Sequence, residues 1–362
     1  MTSKSLNSNF AGAKRAKEDE FYTQLTDIER ELKHYKKHFK GKAVYCNCDD
    51  PRVSNFFHYF SYSFEQLSLK KLITTCYKRQ EADLFSQNDS DLALYLEYAG
   101  DKNQNMVPDP SDIGTKPLKG DGDFRNTEGI ELLKQADIVV TNPPFSLFRE
   151  YLAQLIKYDK QFIIVGNQNA ISYKEIFRLI KENKLWLGHN NGDMSFRVPA
   201  SYTSRATRFW VDDDGNKWRS LGNACWFTNL DLAKRHENLI LYKTYKPDDY
   251  PTYDNYDAIE VSKIVDIPID YDGIMGVPLT FLDKHNPNQF EIVGLSGTDY
   301  PTTKKYGKKE RVVDGVREKS NTGTLGCVIR VDSFGAGTHF DVGYPVKGIY
   351  RRLFIRSKGT TS

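Results

Sequence analysis

Up to about residue 190, apolar positions fall in two alternating registers. Short unbroken runs of strand length are separated by stripes at helical spacing. Ile28, Leu32, Tyr35 and Phe39 form the first helical stripe, opened by a possible capping box at Thr26 and Glu29. The run KAVYCNC, Lys42 to Cys48, predicts a first strand. Asp50-Pro51 then predicts a helix start, with Val53, Phe56, Phe57 and Phe60 on its buried face. Lys70 to Tyr77 is a second strand, and Leu92 to Tyr98 begins a hairpin inserted into the alternation. Gly120 to Phe124 closes a third strand, and a helix over 127–135 leads to a fourth, Ile138 to Thr141. Ser146 is placed to cap a helix carrying Phe148, Leu152, Leu155 and Ile156. QFIIVG is the fifth strand, and Ser172 with Glu175 caps a helix bearing Ile176, Leu179 and Ile180. This order predicts an α/β fold with a doubly wound, mostly parallel sheet.

Past residue 190 the periodicity changes. TRFWVDDDGNKWRSL predicts a hairpin around Asp214-Gly215, and NACWFTNL a further strand. From about residue 230, aromatics, Gly, Pro, Lys and Arg mix without helical spacing, which predicts short strands in a second, less regular region. The expected organisation is an N-terminal arm over 1–18, a main domain over 19–230 and a second region over 231–362.

Composition narrows the class. Hydrophobic residues at 39% and charged residues at 27% describe a soluble globular chain. No apolar run approaches the roughly 18 residues of a membrane span. The polar N-terminus lacks a secretion signal. The five cysteines form no C-x-x-C pair, so disulfides and structural zinc are not expected, and an intracellular compartment is. A net charge of +3 does not by itself argue for nucleic acid. Its distribution adds one feature: the run Lys304 to Lys319 carries seven basic and three acidic residues. Lys304, Lys305, Lys308, Lys309 and Arg311 are candidate phosphate contacts; a solvated loop is the other reading.

In open α/β sheets the ligand site lies beyond the carboxyl ends of the strands. That rule gathers Asp49-Asp50, Gly120 to Phe124 and Asn142-Pro143-Pro144-Phe145 at one rim. The prolines stiffen the last segment and hold Asn142 away from the helical region. The Asn142 side-chain oxygen and the Pro143 carbonyl are suited to accept both hydrogens of an exocyclic amino group. That would turn its nitrogen lone pair toward an electrophile. Phe145 offers a stacking face for a planar base.

N-P-P-F after an apolar strand resembles motif IV of the amino-methyltransferases, the (D/N/S)-P-P-(Y/F/W) signature. The resemblance implies S-adenosyl-L-methionine as methyl donor, with no metal. Phe21-Tyr22-Thr23 matches the aromatic-Thr segment that touches the cofactor. Asp49 and Asp50 would meet the methionine amine. Asp123 and Phe124 would meet the adenine moiety, with Asp121 as the rival carboxylate. The order of segments is that of the γ arrangement of DNA adenine methyltransferases.

DEFYTQLTDIERELKHYKKHFKGKAVYCNCDDPRVSNFF, GDGDFRNTEGIELLKQADIVVTNPPFSLFREYL and MGVPLTFLDKHNPNQFE are similar to the EcoRI-type modification methyltransferases, from about residue 18 to about 293. The resemblance implies N6 methylation of a flipped-out adenine in double-stranded DNA, beside a restriction endonuclease. It implies 231–362 as a target-recognition region, action as a monomer, no membrane, and a cytoplasmic bacterial or phage-encoded enzyme. Two departures stand out. The Gly-rich motif I is replaced by Pro51-Arg52-Val53-Ser54, and Cys76-Tyr77 stands where relatives carry an acid for the ribose. Alternatives are an amino-methyltransferase acting on RNA or on a protein glutamine, and an inactive DNA-binding module.

Overall fold

In the computed structural model, residues 21–48, 54–75, 93–100, 113–307, 309–318 and 325–359 are described. The expected arm over 1–18, the Asp50-Pro51 helix start, and the candidates Asp49, Asp50 and Lys308 lie outside them. The chain divides into two compact units: Met1–Ala170 with Trp186–Leu232, and Ile171–Leu185 with Ala233–Ser362.

The first unit is built on a nine-stranded mixed sheet. Its centre is four parallel strands: β1 (Ala43–Asn47), β2 (Lys71–Thr75), β5 (Ile138–Thr141) and β6 (Gln161–Asn167). They pair in the order β2-β1-β5-β6. Every residue of β1 and β5 is buried, because helices cover both faces. That is why these strands read as unbroken apolar runs.

Parallel pairing stops at this centre. β3 (Leu94–Tyr98), the expected inserted segment, lies antiparallel between β2 and β4 (Ile113–Pro117). At the other side, β9 (Lys217–Thr228) lies antiparallel between β6 and β7 (Trp186–Val198). β8 (Phe209–Val211) pairs only with the start of β9. The sheet is therefore mixed, with antiparallel strands on both flanks. The flanking pairs are not all between neighbours in the chain: β9 pairs with β7 and β8, which precede it, and also with β6, far back in sequence.

Among the described residues the α-helices are α1 (Leu25–Leu32), α2 (Lys36–Phe39), α3 (Asn55–Tyr62), α4 (Thr127–Gln135), α5 (Phe148–Lys157) and α6 (Lys174–Lys181). Trp226 and Phe227, consecutive on β9, point to opposite faces. Trp226 meets Phe56 of α3 at 6.3 Å between ring centroids, and Phe227 meets Phe148 of α5 at 4.9 Å. Gly166 on β6 is needed for the second contact, since a Cβ there would lie 2.5 Å from the Phe148 ring. Glu31, fully buried on α1, is satisfied by Tyr35 Oη at 2.8 Å and by the backbone N–H groups of His189 and Asn190, each at 2.7 Å.

Helix starts differ from the sequence expectation. α1 begins after Gln24 and α6 after Tyr173, neither with a side-chain cap. A 3₁₀ turn over Phe145–Leu147 displaces Ser146 from the cap of α5. Ser54 caps α3, accepting from Phe57 N at 3.4 Å.

The second unit holds α6 and two further sheets. A four-stranded sheet runs in the order β10 (Ile259–Glu260), β11 (Met275–Pro278), β18 (Arg352–Ser357), β12 (Phe290–Leu295). A five-stranded antiparallel sheet runs β14 (Val316–Glu318), β13 (Glu310–Val313), β16 (Thr338–Asp341), β17 (Pro345–Ile349), β15 (Cys327–Arg330). Among the described residues no helix is long and apolar enough to cross a membrane.

Candidate active site

β5 and β1 are tied where they end: Thr141 Oγ1 donates to the carbonyl of Asn47. The next residue, Asn142, is buried, and its Nδ2 donates to the carbonyl of Phe21 at 2.5 Å. Its Oδ1 is also buried and has no hydrogen-bond partner among the described residues. Flipping the amide would set two acceptors against each other at Phe21, so the orientation is determined by the neighbour. The free acceptor therefore points away from Phe21. Pro143 is buried, and Pro144 turns the chain into the 3₁₀ segment, its carbonyl accepting from Leu147 N at 2.9 Å.

Phe145 is half-buried and stands 5.3 Å from the Phe21 ring, tilted by 31°. Phe21 in turn meets Phe196 at 5.4 Å and Tyr202 at 6.2 Å, and Tyr202 stacks on Phe209 at 6.3 Å. One side of the loop is thus walled by rings from the segment before β1 and from the β7–β8 region.

The segment Phe21-Tyr22-Thr23 is held from both ends. Tyr22 N donates to the Arg197 carbonyl at 2.9 Å, and Asn55 Nδ2 donates to the Thr23 carbonyl at 2.8 Å. Thr23 Oγ1 is buried and, among the described residues, has no partner. Two orphaned acceptor-capable oxygens, on Thr23 and Asn142, thus belong to segments joined by one hydrogen bond. Buried polar atoms without partners are uncommon and call for an explanation.

At the end of β1, Asn47 is buried and its Oδ1 accepts from Tyr151 Oη. Burial drives the Tyr151 hydroxyl well above its ordinary pKa, so it stays a neutral donor. Cys48 follows with φ of 80°, a left-handed conformation costly for a side chain with a Cβ.

After β4, Asp121 is exposed and Oδ1 accepts from Asp123 N at 3.0 Å and Asn126 Nδ2 at 3.3 Å. Both Asp123 oxygens are taken by Arg125, at 2.9 Å from Nε and 2.6 Å from a terminal guanidinium nitrogen. Burial pushes the Asp123 carboxyl up, but the Arg125 hydrogen bonds and charge prevail and hold it below its ordinary range. Phe124 is buried, with its ring 5.0 Å from Tyr151 and edge-on.

The basic candidates sit in the second unit. Lys304 donates to Tyr344 Oη and lies 3.4 Å from Asp254 Oδ2. Asp254 also receives Tyr306 Oη and Tyr344 Oη at 2.6 Å each and Arg330 Nε at 2.7 Å. Arg311 faces Glu318 across the β13–β14 hairpin at 3.5 Å. Lys305 is exposed and Lys309 half-buried.

The family model for the adenine-specific methyltransferase EcoRI matches residues 9–330. The chain belongs to this family. It is 52% identical over 297 residues to the type II methyltransferase M.EcoRI of Escherichia coli, covering 81% of this chain and 90% of that protein. It is 42% identical over 302 residues to M.MgeORF184P of Mycoplasma genitalium, covering 81% and 88%. M.MpnI of Mycoplasma pneumoniae is 40% identical over 299 residues, covering 81% and 87%. No solved structure matches.

The match to the EcoRI methyltransferase family runs further at both ends than the three quoted segments implied, and takes in β13 to β15. What sequence reasoning missed is the scaffolding of the loop. Asn47, Tyr151, the Phe21 carbonyl and the rings of Phe196 and Tyr202 carry no local motif. Asn47 alone had a signal, as a polar residue ending a buried strand at the expected rim.

Proposed function

We propose that this member of the EcoRI methyltransferase family is a type II, adenine-specific DNA methyltransferase of a restriction–modification system, and that Asn142, Pro143, Pro144 and Phe145 are its catalytic loop. The observation that carries the site assignment is the Asn142 Oδ1, unpartnered among the described residues, beside an Nδ2 committed to Phe21. A buried acceptor of this kind suits a donor that arrives with the substrate, and the N6 amino group of adenine is such a donor. With the Pro143 carbonyl as second acceptor, the amino nitrogen is held with its lone pair toward the methyl donor. Its proton is lost after the bond forms, so no general base need precede attack. Phe145, at the edge of the ring wall, supports the extruded base by stacking.

S-adenosyl-L-methionine, when bound, supplies an electrophilic methyl group. The residues fit it on two counts. Thr23 Oγ1 is a buried hydroxyl awaiting a partner, and the rim after β4 holds carboxylates in an ordered turn. Tyr22 and Thr23 would line the cofactor, Asp49 and Asp50 would take its amine, and Asp121 is favoured over Asp123 for the adenine moiety because Arg125 already engages Asp123. Phe124 would pack beside it.

The four parallel strands flanked by helices read as the doubly wound core of the S-adenosylmethionine-dependent methyltransferase type, with 19–230 as catalytic domain and 231–362 as target-recognition region. Double-stranded DNA is the partner, a monomer the acting form and the bacterial cytoplasm the setting. Among the basic candidates, support for phosphate contact falls on Lys305, which is exposed. Lys304 and Arg311 are engaged with Asp254 and Glu318.

Expression in a host that lacks N6-adenine methylation, followed by sequencing that detects modified adenine, tests this reading. Modified adenine within one recurring sequence supports it; unmodified DNA from cells that make the folded protein contradicts it.

A further inference from the structure

The loop from Asn142 to Leu147 leaves β5 after Thr141 and enters α5 at Phe148. Pro143 and Pro144 carry no N–H, so the loop offers little of the backbone hydrogen bonding that fixes a strand or a helix. Side chains hold it from outside, and its two ends reach the same residue. On the strand side, the buried Thr141 hydroxyl donates to the Asn47 carbonyl. On the helix side, the Tyr151 hydroxyl donates to Asn47 Oδ1. Asn47 is the last residue of β1, which pairs with β5 through Val44–Ile138 and Tyr45–Val139. The grip therefore stands on two central strands of the sheet.

α5 reaches the segment after β4 as well. Tyr151 and Gln154, three positions apart, are neighbours on the helix surface. Gln154 Nε2 donates to the Phe124 carbonyl at 2.8 Å, and the Phe124 ring stands edge-on to Tyr151 at 5.0 Å. Thr141, Tyr151 and Asn47 are 0%, 2% and 5% exposed, so water competes little for these bonds. One side of this frame is the loop that carries Asn142. The other bears the cofactor candidates: Asp49 and Asp50 follow Asn47 in the chain, and Phe124 packs on Tyr151.

We propose that Asn47 is a positioning residue for methyl transfer: by gripping both ends of the proposed catalytic loop, through Thr141 and Tyr151, it fixes the distance between the methyl donor and the amino group held at Asn142. This rests on the reading of the chain as an S-adenosylmethionine-dependent DNA adenine methyltransferase. Asn47 acts through the loop and not on the reacting atoms. Transfer between two bound groups is steep in distance, and a misplacement of about 1 Å costs about 100-fold in rate. A loop stiffened by prolines moves as a unit, so loosening either end shifts Asn142 without unmaking its bond to Phe21.

The test uses Tyr151→Phe and Thr141→Val, each of which removes one hydroxyl and keeps the shape of the side chain. Single-turnover methyl transfer is followed with S-adenosyl-L-methionine saturating and the enzyme in excess over an unmethylated duplex, which separates chemistry from binding and release. Affinities for the cofactor and for the duplex are measured by calorimetry, and melting temperature alongside. Each variant is expected to transfer methyl about 10- to 100-fold more slowly, with both dissociation constants within about threefold of wild type. Thr141→Ser, which restores the donor, should recover most of the rate lost in Thr141→Val. A wild-type rate in either variant, even one with a lowered melting temperature, overturns the proposal by leaving these bonds a folding role alone. A deficit that disappears at higher cofactor or duplex concentration overturns it too, because the residues would then serve binding. Failure of the wild type to methylate duplex DNA would instead contradict the reading beneath it.

Discussion

The Asn142 side chain donates to the Phe21 carbonyl at 2.5 Å across 121 positions of sequence, and this bond decides which end of the amide is left to act. Removing it should disable the loop twice, by deleting the acceptor and by leaving a buried carbonyl unpaired. Asn142→Ala is expected to lower kcat by about 10²- to 10³-fold or more, with cofactor binding little changed. Asn142→Asp should be as inactive, because a carboxylate cannot donate to Phe21. Melting temperature measured alongside should fall only modestly, consistent with roughly 1–3 kcal/mol for a buried unsatisfied group.

Thr23→Val separates a ligand role from a folding role. The variant keeps the shape and removes a hydroxyl that is buried and, among the described residues, unpartnered. Stability should stay level or rise, while affinity for S-adenosyl-L-methionine, measured by calorimetry, should drop about 3- to 10-fold, the worth of one hydrogen bond. Lower stability with unchanged affinity would assign the hydroxyl to the fold.

Phe145→Ala should act on the base. Its ring is half-buried, so the fold survives its loss. The expected result is a rise in KM for DNA and a fall in kcat, with cofactor affinity within about twofold of wild type. Fluorescence of 2-aminopurine at the target position should report less of the extruded state.

Asp254 anchors Lys304, Tyr306, Arg330 and Tyr344 in the second unit. Burial opposes its charge, but these hydrogen bonds prevail and hold its pKa well below the ordinary carboxylate value. A depressed pKa contributes stability above the unfolded-state value, near 3.9, that is lost as pH falls toward the folded-state value. Asp254→Asn should therefore lower the melting temperature at pH 6 to 7, and the gap from wild type should narrow below about pH 4. A gap independent of pH would show that charge is not what the network uses.

The parts legible in sequence were those with local signatures. Two prolines after a buried strand marked the proposed catalytic loop, and unbroken apolar runs marked β1, β5 and β6. The arrangement around them was not local. β9 inserts between β6 and β7 because of a pairing choice among distant strands, which periodicity does not encode. Phe21 reaches Asn142, and Asp254 reaches Lys304, over separations at which a sequence shows composition but not contact. The basic run illustrates the limit: its charges were visible, but not that Lys304 and Arg311 had partners of their own.

The most direct test of the catalytic assignment is transfer of tritiated methyl from S-adenosyl-L-methionine to unmethylated duplex DNA, with the labelled nucleoside identified after digestion. The wild type should yield N6-methyldeoxyadenosine, and Asn142→Ala, folded and still able to bind cofactor, should yield none. Label appearing in RNA, in protein or on another base, or turnover retained by Asn142→Ala, would contradict the account.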